Sequence, residues 1–82
     1  MKKSIITKWQ DKFKDLADEF EADIQEIIAD RENYVYERSE KWQESEKCEE
    51  YEEVTEAIDS AKDEVIYKVE EITSELDTLL FQ

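Results

Sequence analysis

Glycine, proline and histidine are absent from this 82-residue chain, and cysteine occurs once, at Cys48. Each absence excludes something. Without Gly or Pro the chain lacks the residues that tight hairpins and phosphate-cradling loops rely on. Rossmann and P-loop fingerprints are therefore missing, as is the central glycine of an EF-hand Ca²⁺ loop. Without His there can be no Cys/His zinc site, no His-dependent catalytic triad and no E-x-x-H di-iron bundle. One thiol makes no internal disulfide, so folding needs no oxidising compartment. Long apolar runs are also lacking. Met1-Lys2-Lys3 is basic, but Ile5 and Ile6 give way at once to Lys8, Gln10 and Asp11. Neither a signal peptide nor a membrane helix is expected, and the expected location is cytoplasmic, in the protein's own cell or an infected one.

Acidic charge is what the chain has in quantity: 25 Asp and Glu against 11 Lys and Arg, a net of −14. Such a surface repels nucleic acid and anionic membranes, so neither is an expected direct partner. The charge is unevenly placed. Residues 1–14 hold five lysines and one acid, whereas residues 15–82 hold six basic and 24 acidic side chains, a net of −18. The lysines read as a solvated helix start, or as a basic arm that docks on the acidic body of another copy.

The apolar pattern predicts an all-α fold. Ile5, Trp9, Phe13, Leu16, Phe20, Ile24, Ile27, Val35 and Trp42 form one stripe, with Arg31 and Arg38 in its gaps, at a mean spacing near that of a straight α-helix. Tyr51, Val54, Ile58, Ala61, Val65, Val69, Ile72, Leu76 and Leu79 recur at the coiled-coil period. The longest gap lies between Trp42 and Tyr51, and Ser45 suits an N-cap. These signals predict a single helical domain over 1–82: a helix over about 5–43, a turn at about 43–46, and a helix over about 46–80. The two would pair as a long, antiparallel, coiled-coil-like hairpin. One continuous helix is the alternative, since no breaker residue marks the bend. Thr7 and Gln10 have capping-box spacing at the start of the first helix, and Arg38 and Lys41 would sit in its last turns. Ile6, Ile28, Tyr36, Ile66, Leu80 and Phe81 widen the stripes beyond what one pairwise contact covers. A homodimer forming a four-helix bundle is therefore expected over a monomeric hairpin.

Carboxylates are the only abundant reactive groups. Glu49, Glu50 and Glu53 have E-E-x-x-E spacing, as in all-α enzymes that hold Mg²⁺, but the next acidic pair, Glu56 and Asp59, lies on the same helix and cannot close round the same ion. In so acidic a chain the spacing reads as a solvated face. No metal, no cofactor and no enzymatic activity are expected, because carboxylates on a wet helix ionise together. Cys48, placed in the turn among Glu46, Glu49 and Glu50, is expected to be an unreactive thiol. The aromatics around the bend, Tyr34, Tyr36, Trp42 and Tyr51, are candidate partner-binding residues together with Glu49, Glu50 and Glu53. The plainer reading of Trp42 and Tyr51 is that they plug the end of the hairpin. Tyr34, Val35 and Tyr36 are consecutive, so at least one of them must face outward.

Residues 38–51, Arg-Ser-Glu-Lys-Trp-Gln-Glu-Ser-Glu-Lys-Cys-Glu-Glu-Tyr, resemble a segment of small acidic helical proteins encoded by bacteriophages and prophages. Cys48 stands where that pattern usually has glycine. Members of this group mostly have no assigned role, so the resemblance implies phage origin and no specific activity. With the charge it makes the leading functional expectation a small interaction protein that modulates or inhibits a host protein, with mimicry of nucleic acid as one mode. The other expectation is a structural coiled-coil oligomer. If the dense negative surface limits stability, the melting temperature followed by circular dichroism should rise with added salt and on mild acidification; a flat response would show that the acids are already well dispersed.

Overall fold

The computed structural model describes residues 2–82. It contains α1 (Lys3–Tyr36), α2 (Glu40–Gln43) and α3 (Glu46–Leu80), with no strand among the described residues. The fold is all-α: a long helical hairpin in which α1 packs against α3 to make a rod of 62 × 16 × 10 Å. Two side-chain contacts fix its antiparallel register. Gln10 Nε2 donates to the Thr73 carbonyl at 3.0 Å near the open end, and Arg31 Nη2 donates to the Tyr51 carbonyl at 3.0 Å near the tip.

The first helix ends at Tyr36, seven residues before the expected boundary at about 43. Ser39 causes the difference. Its backbone is extended (φ −63°, ψ 156°) and its hydroxyl accepts from the Trp42 N–H at 3.3 Å, starting the separate turn α2. Ser45 repeats the device for α3, accepting from the Cys48 N–H at 3.4 Å. Each serine satisfies an N–H that the new helix leaves unpaired. Gln43 supplies the other half of the bend. Its Nε2 donates to the carbonyls of Val35, Tyr36 and Arg38 at 3.1, 3.4 and 2.9 Å, tying the last turn of α1 to the bend just past it. No described residue has positive φ, so right-handed and extended backbone alone turn the chain and glycine is not required. Cys48 lies in the first turn of α3, not in the turn before it, and Arg38 falls beyond α1.

At the other end, α1 begins at Lys3 and the Thr7–Gln10 capping box does not form. Thr7 Oγ1 donates back to the Lys3 carbonyl at 3.2 Å, and Lys2 is an N-cap without a side-chain bond. Burial explains the early start, because Ile6 packs into the hairpin at 7% exposure.

The helices meet along a different line from the one the apolar spacing suggested. On α1 the buried and half-buried positions are Ile6, Gln10, Phe13, Ala17, Glu21, Ile24, Ile28, Arg31 and Val35. On α3 they include Cys48, Tyr51, Thr55, Ile58, Lys62, Ile66, Val69, Thr73, Leu76 and Leu80. Both runs are built from steps of three and four, close to the spacing of a coiled-coil seam. Much of the expected stripe lies one residue earlier and stays exposed: Ile5, Trp9, Leu16, Phe20 and Ile27 on α1, and Val54, Val65 and Ile72 on α3.

One residue back is a rotation of about 100° on a helix. Rotation in the same sense from a facing seam brings two antiparallel helices to the same side of the pair. The hairpin is thus a two-sided ribbon, with that exposed part of the stripe on one side, while the equally exposed Tyr36, Tyr67 and Phe81 each lie one residue past the seam. Residues one step past the seam form the opposite side, where the grooves between the helices are lined by Lys14, Asp18, Glu21 and Glu70, and by Glu32, Glu52 and Glu56.

Ser39→Ala and Ser45→Ala should each cost about 1 kcal/mol, read from urea unfolding followed by circular dichroism. Thr7→Ala, which removes no cap, should leave the midpoint nearly unchanged.

Candidate functional site

The tip gathers three of the four aromatic candidates into one cluster. Tyr34 stacks on Tyr51 with ring centroids 4.9 Å apart, and Trp42 meets both edge-on, at 5.7 Å from Tyr34 and 6.0 Å from Tyr51. Offset stacks and edge contacts are the arrangements that the ring quadrupole favours. Two guanidiniums extend the cluster: Arg31 lies 3.8 Å from the Tyr51 centroid and Arg38 lies 4.2 Å from that of Tyr34. The contacts run in series, Arg31–Tyr51–Tyr34–Arg38, joining α3, α1 and the bend. Arg31 is held in place by its Nε donating to Thr55 Oγ1 at 2.8 Å, while that hydroxyl donates to the Tyr51 carbonyl at 3.1 Å.

Tyr36 stands apart, 86% exposed. Its position follows from helix geometry. Three consecutive residues point about 100° apart, so with Tyr34 in the cluster and Val35 in the seam, Tyr36 must face solvent.

The three candidate glutamates do not share a surface. Glu49 and Glu53 line a shallow groove with Glu52 and Glu56 along α3, while Glu50 lies outside it. All five are exposed. No three of the Cys, Asp and Glu side chains among the described residues converge closely enough to hold a metal ion.

Cys48 lies at the base of this acidic surface, at 4% exposure and with Sγ 3.5 Å from Glu52 Oε1. Burial foremost, then the Glu52 hydrogen bond and charge and the Glu49 charge, push its thiol above the ordinary value of 9.0. The sequence placed the cause in Glu46, Glu49 and Glu50. Burial leads instead, and Glu52 replaces Glu46 and Glu50 because it is one helical turn beyond Cys48. Lys62 is the other buried polar side chain, pairing with Asp59 at 2.9 Å and Asp63 at 3.5 Å. Its ammonium is held above the ordinary lysine value, mainly by the Asp59 hydrogen bond acting against the cost of burial.

Arg31, Arg38 and Gln43 are tip-building residues that the spacing argument did not single out for this role. One signal was present: Ser-Glu-Lys occurs twice, at 39–41 and 45–47, and each copy starts a helix. Comparison with protein-family models, curated proteins and solved structures finds no match.

The buried neutral thiol gives a direct check. Alkylation of Cys48 should be slow in the folded protein at pH 8 and fast after unfolding. Its contribution to stability should be lost as pH rises past 9.0, where the unfolded thiol ionises and the folded one stays protonated. Equal rates in folded and unfolded protein would contradict the buried position.

Proposed function

We propose that this chain is a small acidic interaction protein of phage type, a binding protein and not an enzyme, that modulates or inhibits a host protein in the cytoplasm. The supporting observation is a rigid rod carrying one sign of charge over most of its length. Net charge of −14 over 62 Å is about one charge per 4.4 Å, against 3.4 Å per phosphate along one DNA strand. That density suits the basic groove of a nucleic-acid enzyme such as a nuclease, a restriction or CRISPR effector, or a repair enzyme. In this reading Glu49, Glu50 and Glu53 supply phosphate-like charge near the tip, and the exposed Tyr36 is the aromatic anchor. Tyr34, Trp42 and Tyr51 act indirectly by holding the tip in shape.

A structural coiled-coil oligomer is the second reading, favoured by the apolar side of the ribbon. Among the described residues no helix is long and apolar enough to cross a membrane, which agrees with both.

The test is a tagged pull-down from bacterial lysate, washed across a salt gradient, with nuclease-treated and DNA-supplemented arms. Mimicry predicts capture of a nucleic-acid enzyme that salt releases and added DNA displaces. Joint Glu49→Gln, Glu50→Gln and Glu53→Gln substitution should weaken that capture roughly tenfold, about 1.4 kcal/mol. Recovery of the bait alone, as a discrete oligomer, would favour the structural reading.

A further inference from the structure

We infer that the apolar side of the ribbon is covered by a second copy of this chain lying tip to tail, so that α1 packs on α1 and α3 on α3 of the partner in an antiparallel four-helix bundle. This assembly does not depend on what the acidic side binds. The hairpin alone covers too little. Among the described residues no side chain is fully buried, and only Ile6, Ala17, Cys48 and Lys62 come close. The accessible surface is 6616 Å², whereas a compact monomer of 9.9 kDa exposes about 5200 Å². The excess of roughly 1400 Å² exceeds the ~800 Å² per partner that a stable interface buries.

Charge along the border of the apolar face identifies both the occupant and its direction. Lys8 and Lys12 flank Trp9, with ammonium groups 5.9 and 5.1 Å from its ring centroid. The same face carries Asp15 beside Leu16, and beyond it every charged residue up to Asp30 is acidic, at Glu19, Asp23, Glu26 and Asp30. The basic half of this border therefore complements the acidic half of another copy, and only when the two copies run in opposite directions. A two-fold axis near residue 18 sets Trp9 opposite the partner's Ile27 and Leu16 opposite the partner's Phe20. It also brings Lys12 beside the partner's Asp23 and Lys8 beside the partner's Glu26.

Helix α3 accommodates the same axis. Pairing Ala61 with the partner's Ile72 and Val54 with the partner's Leu79 centres α3 between residues 66 and 67. The hairpin's own register, Gln10 with Thr73 and Arg31 with Thr55, puts that point level with residue 18. One axis thus serves both helix pairs, as a closed two-fold dimer requires. Tip-to-tip packing would instead superpose the most acidic segments, since residues 26–59 carry 13 acids and four basic groups, a net of −9.

Sedimentation equilibrium near 0.15 M salt should give twice 9.9 kDa, and a monomer at tens of micromolar would overturn the inference. Direction is read by pulsed electron paramagnetic resonance with spin labels at Tyr36→Cys in a Cys48→Ser background. Tip-to-tail packing predicts a separation of about 54 Å from the helical rise, and a separation below about 30 Å would overturn it. Asp23→Lys should weaken dimerisation at least tenfold, and adding Lys12→Asp to the same chain should restore it. Loss without restoration would show that the border charges do not meet as described.

Discussion

Everything in this protein depends on a single seam between two long helices. A hairpin of two helices has no third layer to close over its core, so each side chain at the contact keeps one flank toward solvent. The seam reflects that constraint. Gln10, Arg31, Thr55, Lys62 and Thr73 occupy core-like positions that a larger domain would fill with aliphatics, and each has a bonding partner. Apolar packing supplies attraction along the length, while the Gln10–Thr73 and Arg31–Tyr51 contacts prevent the helices from sliding. A shift by one heptad would preserve most apolar contacts but break both cross-links.

The tip shows how a chain without Gly or Pro reverses direction. Two serines start helices, one glutamine satisfies the carbonyls left by α1, and four stacked side chains hold the bend. The aromatics nearest the bend are largely occupied with one another. The outward features of the tip are the glutamates of α3 and Tyr36, so the surface available to a partner protein is mainly charged. That surface and the apolar side of the ribbon separate by a simple geometric rule. Many positions one residue before the seam are apolar, with charged residues such as Lys12, Asp23, Glu50 and Lys68 among them, and many one residue after it are charged, so the two sides of one hairpin differ in character.

Several features were legible in the residues themselves. Helical spacing with no alternation of period two specified α-helix, and the apolar gap after Trp42 with Ser45 marked where α3 begins. The surplus of apolar side chains beyond one stripe was also visible, but Ile6, Ile28, Ile66 and Leu80, read as extras, lie in the seam, and it is much of the stripe that stays exposed. The seam itself was read only in part: Phe13, Ile24, Tyr51, Ile58, Val69 and Leu76 of the expected stripes lie in it. Counting only hydrophobic residues selected Trp9, Leu16 and Val65, whereas the contact runs through Gln10, Ala17 and Ile66. Hydrophobicity locates an apolar face but not its centre when two apolar stripes lie side by side. The end of α1 was missed because the charged residues from Glu37 to Lys41 suit a helix locally, and Ser39 breaks it only with the caps and aromatic contacts around it in place.

The sequence by itself determined the helical fold, the excess of negative charge and the absence of residues for His-based or phosphate-loop chemistry. These follow from residue type and spacing, which act locally. Tertiary structure decided which of two neighbouring stripes becomes the seam, which aromatics turn inward, and that Trp9, Leu16, Phe20, Val65 and Ile72 are left on one side. Those outcomes depend on the phase of one helix relative to the other, which is set by contacts between residues 20 to 63 positions apart.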